Sequence, residues 1–213
     1  RNPRLAQALR TSIENQGVKL IEHTQVKGML LGEHAVHGLM TEQGEFKAER
    51  VVIAGGAWSA VLLETTGVTL PVRPVRGQMI LYRAEPHVVQ RIVLSRDRYV
   101  IPRRDGRILV GSTLEEVGFD KSTTRAAMQE LESEAARLIP ALADYPIEHH
   151  WAGLRPGSPH GIPYIMQHPR IGGLFINTGH FRNGVVLGLA SARLLADILL
   201  QRQPILDPAP YAG

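Results

Sequence analysis

Leu174-Phe175-Ile176-Asn177-Thr178-Gly179-His180-Phe181-Arg182-Asn183-Gly184, running on into Val185–Leu200, sets a strand, a loop and a helix end to end. Leu174-Phe175-Ile176 is a short apolar run of the kind a buried strand shows, Gly179–Gly184 is a polar loop, and Val185–Leu200 is an apolar helix. Gly188, Ala190, Ser191 and Ala192 give that helix a small-residue face suited to close packing. Val51-Val52-Ile53-Ala54 is a second run of the same type, wholly apolar, as expected of a strand covered on both faces. Gly55-Gly56 stops it, and Ala57-Trp58-Ser59 leads into a helix ending near Gly67. A strand, a glycine turn and a helix therefore occur twice, which is α/β architecture.

Working outward, Asn2, Pro3 and Gly17 punctuate an opening helix whose Leu5, Leu9 and Ile13 form one apolar stripe. A strand is predicted at Val18–Glu22, then an antiparallel meander through Lys27–Leu31, Ala35–Met40 and the residues after Gln43-Gly44. From Pro71 the texture changes. Val72–Tyr82, Ile92–Leu94, Arg98–Arg103 and Ile108–Ser112 are strand-like, Asp105-Gly106 marks a hairpin turn, and a helix is predicted from about Thr124 to Leu138. This block reads as α+β, inserted into the α/β part. The predicted division is residues 1–70 with 152–213 as one domain and 71–151 as the other.

Composition excludes several classes. The 213 residues are 44% hydrophobic and 21% charged, ordinary for a globular chain, and hold no apolar run long enough to span a membrane. The net charge of +4 comes from scattered arginines rather than basic runs interleaved with aromatics, so no nucleic-acid partner is expected. With no cysteine there are no disulfides, thiolate metal sites or cysteine nucleophiles, and a cytoplasmic location is compatible. His149, His150 and His160 have no spacing that suits one helix or strand face, so no metal is expected. No serine lies in a nucleophile-elbow context.

The chemistry-bearing signal is an absence. Residues 149–196 contain no Asp or Glu, where average usage would place about five. The same stretch carries Arg155, Arg170, Arg182 and Arg193. Arg155, in Gly153-Leu154-Arg155-Pro156-Gly157, and Arg182, in His180-Phe181-Arg182-Asn183-Gly184, have no charged neighbours in sequence. Guanidinium is well shaped to grip a carboxylate through two parallel bonds. A distant acid or water would serve each arginine equally well, so the pattern points to an anion without naming one. Gly179–Gly184 between strand and helix is a place where free N–H groups meet the positive helix end, though it is also an ordinary turn. Tyr99 is either a core aromatic or a phenol donor to a bound acid.

Trp151-Ala152-Gly153-Leu154-Arg155-Pro156-Gly157, Gly161-Ile162-Pro163-Tyr164-Ile165 and Gly179–Gly184 together resemble the C-terminal motifs of the glycine oxidase family. That family belongs to the D-amino-acid oxidase superfamily of FAD-dependent oxidoreductases and serves the thiazole branch of thiamine biosynthesis. Glu22–Val26, Val52–Ser59, Arg98–Arg103 and Val110–Thr113 are similar to further segments of it, in the same order. The resemblance implies a doubly wound FAD-binding domain with an inserted antiparallel-sheet substrate domain. It implies oxidative deamination of glycine or a similar small amino acid, giving an oxo acid, ammonia and hydrogen peroxide, with no side chain acting as acid or base.

The resemblance also implies residue roles. Arg155 holds the substrate carboxylate, assisted by Arg182 and Tyr99. Non-covalent FAD is contacted by Val26, by Ala54, Gly55 and Trp58, and by His180, Phe181, Arg182, Asn183, Gly184, Val185 and Val186. One departure is large: the chain has no G-x-G-x-x-G and opens at Arg1-Asn2-Pro3, which reads as a cut inside a longer protein. The N-terminal FAD-binding segment is thus expected to be missing, FAD binding by this piece weak or absent, and homo-oligomer formation through uncovered strands a natural consequence. Alternatives are a sarcosine oxidase or a D-amino-acid oxidase or dehydrogenase on the same fold, and a non-catalytic anion-binding module. The absence of a cysteine tether counts against the covalent-flavin sarcosine enzymes.

Overall fold

Leu5, Leu9 and Ile13 do fall on one helix, α1 (Asn2–Asn15), which stops at left-handed Gly17 with its amide donating to the Glu14 carbonyl at 2.9 Å. The computed structural model describes residues 2–213. The chain divides into two compact units, one of residues 1–71 with 158–213 and one of residues 72–157. The second crossing between them lies past the end of a strand that runs through the boundary expected at residue 151.

In the discontinuous unit, the stripe of α1 is uncovered: Leu5, Leu9 and Ile13 are all exposed. Val18–Glu22, predicted as a strand, forms none. A strand needs a neighbour for its ladder bonds, and no other strand pairs with this segment among the described residues. It is tied instead to α1 by Arg10, which donates to Glu22 at 3.0 and 2.7 Å. The meander follows as β1 (Val26–Leu31), β2 (Val36–Thr41) and β3 (Gly44–Lys47), antiparallel in the order β1-β2-β3.

A second sheet of this unit orders β10 (Tyr164–Gln167), β11 (Leu174–Thr178) and β4 (Val51–Ile53). β11 and β4 run parallel, with Leu174 opposite Val51 and Ile176 opposite Ile53. After β4 comes α2 (Ser59–Leu63), followed by Gly67 in the left-handed region. The last helix, α4 (Gly184–Leu199), packs Leu194 and Leu195 with Ile165 and Phe175. Two sequence expectations fail here. Val51 and Ile53 are buried but Val52 is 42% exposed, so β4 is covered on one face only among the described residues. The small-residue face of α4 is largely unpacked: Ala190 and Ala192 are exposed, and a β-carbon on Gly188 would meet nothing within 4 Å.

The contiguous unit is one antiparallel sheet backed by a helix. Its strands are β5 (Arg73–Arg83), β6 (Val93–Ser95), β7 (Arg98–Pro102), β8 (Arg107–Gly111) and β9 (Ile147–Gly157), in the order β6-β7-β8-β5-β9. Gly106, in the left-handed region, turns β7 into β8. α3 (Arg125–Leu138) is capped by Thr124, whose hydroxyl accepts from the Ala127 amide at 3.2 Å. Its Leu131 and Ala135 pack against Ile80, Tyr82, Val100, Ile108 and Val110. No helix among the described residues is long and apolar enough to cross a membrane.

His168 staples the β10–β11 turn. Its Nδ1 accepts from the amides of Arg170 at 3.1 Å and Ile171 at 3.0 Å, and the residue is buried. Burial, reinforced by the Arg170 charge, lowers its pKa. The unfolded chain therefore binds more protons, and stability falls as the pH drops below about 6.5. Urea unfolding at pH 7.5 and pH 5 should show a smaller acid loss for His168→Asn than for the parent; equal losses would remove His168 as the cause.

Candidate active site

Period-two alternation on β5 decides what each face of the five-stranded sheet carries. Arg76, Gln78, Ile80 and Tyr82 point to the α3 side, while Val75, Gly77, Met79 and Leu81 point to the other. The register puts Tyr99, Gly111, Met79 and Trp151 in one row across β7, β8, β5 and β9 on that second face. One step along, Gly77 faces Gly153, and one step further Val75 faces Arg155.

Both arginine and tyrosine lean towards the segment at the end of β8. Arg155 Nη2 donates to the Ser112 hydroxyl at 2.7 Å, and Nη1 donates to the Thr113 carbonyl at 3.3 Å. The Tyr99 ring lies across Gly111, where a built β-carbon would come 2.9 Å from the phenol oxygen. Its hydroxyl also approaches Met79 Sδ at 3.8 Å, a weak contact. The structure thus brings Tyr99 and Arg155 to consecutive residues, 111 and 112, on one sheet face.

Behind that segment sits a buried polar network. Arg76, 4% exposed, donates to Glu115 at 2.6 and 3.1 Å and to Asp120 at 2.6 Å. Gln78 donates to Glu115 at 2.9 Å, and its carbonyl oxygen accepts from the Thr124 amide at 2.9 Å. The Thr113 hydroxyl donates to Glu115 and accepts from the Gln78 amide. Burial pushes the Glu115 carboxyl up, but Thr113, Arg76 and Gln78 together hold it below its ordinary value. These side chains fix the turn that holds Arg155.

In the other unit, the parallel pairing of β4 with β11 puts two strand-to-helix turns at the same carboxyl edge. One turn carries Ala54, Gly55 and Trp58, the last exposed. The other carries His180, Phe181, Arg182 and Asn183 and opens α4 at Gly184. The Thr178 hydroxyl donates to the Gly56 carbonyl at 2.9 Å, joining the turns. His180 Nε2 lies 2.9 Å from the Ser191 hydroxyl, and burial lowers its pKa. Asn183 makes no side-chain cap, so the first α4 amides are left open to an acceptor. Val185 and Val186 are exposed at that helix end. Val26 is not part of this edge: it is the first residue of β1, in the meander.

The four arginines of the carboxylate-free stretch divide. Arg193 pairs with buried Asp197 at 3.0 Å, and Arg170 donates to the backbone carbonyls of Thr66 and Gly67, so both are structural. Arg155 is held by Ser112 and Thr113, and Arg182 is exposed. Sequence reasoning did not single out Ser112, Thr113, Gly77 or Met79 for the site. The signal for Gly77 was available: a glycine in the middle of a strand marks a close approach.

The chain belongs to the FAD dependent oxidoreductase family, whose model matches residues 1–198. Within it, the chain is 54% identical over 213 residues to glycine oxidase of Pseudomonas aeruginosa, covering 100% of this chain and 58% of that protein. Glycine oxidase of Pseudomonas putida is 49% identical, with the same coverage. The crystal structure of glycine oxidase from Geobacillus kaustophilus superimposes with a TM-score of 0.92 at 34% identity, over 99% of this chain and 57% of that one. The chain thus spans less than two thirds of the length of these relatives.

Glu115→Ala should destabilise the protein by about 3 kcal/mol, because it leaves Arg76 buried with half its compensation. The part of stability that Glu115 supplies is present above about pH 4.3 and is lost as the pH falls. Denaturant titration of the parent and the variant at pH 7 and pH 4 checks both, and a variant as stable as the parent at pH 7 would contradict this account.

Proposed function

We propose that this chain supplies the substrate-holding sheet and two flavin-side turns of an FAD-dependent oxidase acting on glycine or a similarly small amino acid. The observation that carries the reading is the shared placement of Arg155 and Tyr99 over residues 111 and 112, in a chain of the FAD dependent oxidoreductase family. In this reading the Arg155 guanidinium grips the substrate carboxylate, and the Tyr99 phenol donates to it. Arg182 keeps the assisting role that the resemblance implies.

The carboxyl edge of β4 and β11 suits FAD. Ala54, Gly55 and Trp58 would hold it on one side and residues 180–186 on the other, with Val26 towards the adenine. The uncapped first turn of α4 favours negative charge beside it. FAD when bound supplies the hydride acceptor; the products are an oxo acid, ammonia and hydrogen peroxide. The protein's own work is positional: fixing the acid end of the substrate orients its α-hydrogen, and no side chain serves as acid or base.

Arg155→Ala in the full-length protein should cost about 2–5 kcal/mol in substrate recognition, read as a raised KM for the amino acid in an oxygen-uptake assay. An unchanged KM would take Arg155 out of the site. A substrate panel sets the label: turnover of D-alanine or sarcosine with none of glycine would move it to a sister oxidase. The 213 residues by themselves, which contain no G-x-G-x-x-G, should purify without flavin colour. A yellow preparation that makes peroxide from glycine would overturn that expectation.

A further inference from the structure

Gly77 sits in the interior of the eleven-residue strand β5 and is buried. A glycine there weakens a strand, so its position needs a reason. Backbone conformation does not supply one, since Gly77 is not among the glycines in the left-handed region. Packing does. A β-carbon built on Gly77 would run into both terminal nitrogens and the central carbon of the Arg155 guanidinium. The head group lies flat on the bare strand, and only from there does it donate to Ser112 at 2.7 Å and Thr113 at 3.3 Å. The same arrangement recurs under Tyr99, where Gly111 leaves room for the ring.

We propose that Gly77 is a positioning residue: its missing side chain sets where the Arg155 guanidinium rests, and so sets the grip on the substrate carboxylate. This rests on the reading of Arg155 as the carboxylate-holding side chain. A methyl group at position 77 lifts the head group to van der Waals distance, about 3.5 Å, and breaks the short bond to Ser112. What it meets is the far end of a flexible side chain, and a β-carbon on the facing Gly153 would find nothing within 4 Å, so the displaced head has open space to enter. The sheet itself keeps its register. Gly77→Ala is thus expected to change binding while leaving folding intact, whereas a purely structural glycine would behave in the opposite way.

The test compares Gly77→Ala, Arg155→Ala and the double variant in the full-length protein. Gly28→Ala is the control, since its β-carbon would meet only the Met40 methyl, at 3.6 Å. Gly77→Ala should raise KM for the amino acid by about tenfold or more, with Tm within about 2 °C of the parent. The double variant should be no worse than Arg155→Ala alone, because Gly77 acts through Arg155. A crystal structure of Gly77→Ala should show the guanidinium detached from Ser112. If Arg155→Ala raises KM and Gly77→Ala does not, the proposal is overturned while the carboxylate reading stands. If neither raises KM, the carboxylate reading fails and takes the proposal with it. A large fall in Tm, with effects that add in the double variant, would make Gly77 structural and overturn the proposal.

Discussion

The alternation of β5 is the constraint from which the rest of the contiguous unit follows. One set of its side chains, Ile80 and Tyr82 with Gln78 and Arg76, is committed to the α3 side. The other set is short or absent at Val75 and Gly77, with Met79 beyond. A one-residue slip would put Arg76 on the opposite face and Gly77 into the core, exchanging a buried ion pair for a void. Gln78 bonds the cap of α3 and the carboxylate of Glu115 together, so the helix, the strand and the turn at Thr113 are locked to one register. The second face inherits its geometry from this lock.

Two guanidinium groups on neighbouring strands show how environment divides labour. Arg76 is enclosed by Glu115 and Asp120, an arrangement that cancels its charge in the interior. Arg155 is steadied by the uncharged oxygens of Ser112 and Thr113, which fix where its head group lies. Arg193 and Arg170 repeat the structural role in the other unit, one with Asp197 and one with backbone carbonyls. The chemical type is the same in all four. What differs is whether a given bond ends on an acid or on a dipole.

Much of this was legible in the sequence where a local signal existed. The helix over about 124–138, the Asp105-Gly106 turn and the twin apolar runs at 51–53 and 174–176 each carry their own mark. Tyr99 and Arg155 are singled out as site residues only through the resemblance. Features that depend on a partner were not. Val18–Glu22 has strand composition but no neighbouring strand to bond among the described residues, and β9 hides its extended form behind Gly153, Pro156 and Gly157. Arg170 ends on carbonyl groups, which leave no trace in composition. The reason for Gly77 emerges only when the register lays Arg155 over it.

The way the chain threads between its units has a consequence for biogenesis. Residues 72–157 are continuous, so on the ribosome this portion has all its strands in hand before residues 158–213 are translated. β4 must wait: its neighbour β11 emerges only after the whole insertion has passed, and the Thr178–Gly56 bond closes a separation of 122 residues. Loop closure of that length is slow. Once folded, the insertion shortens the effective span, because pairing Arg73 with Gly157 draws its two ends together.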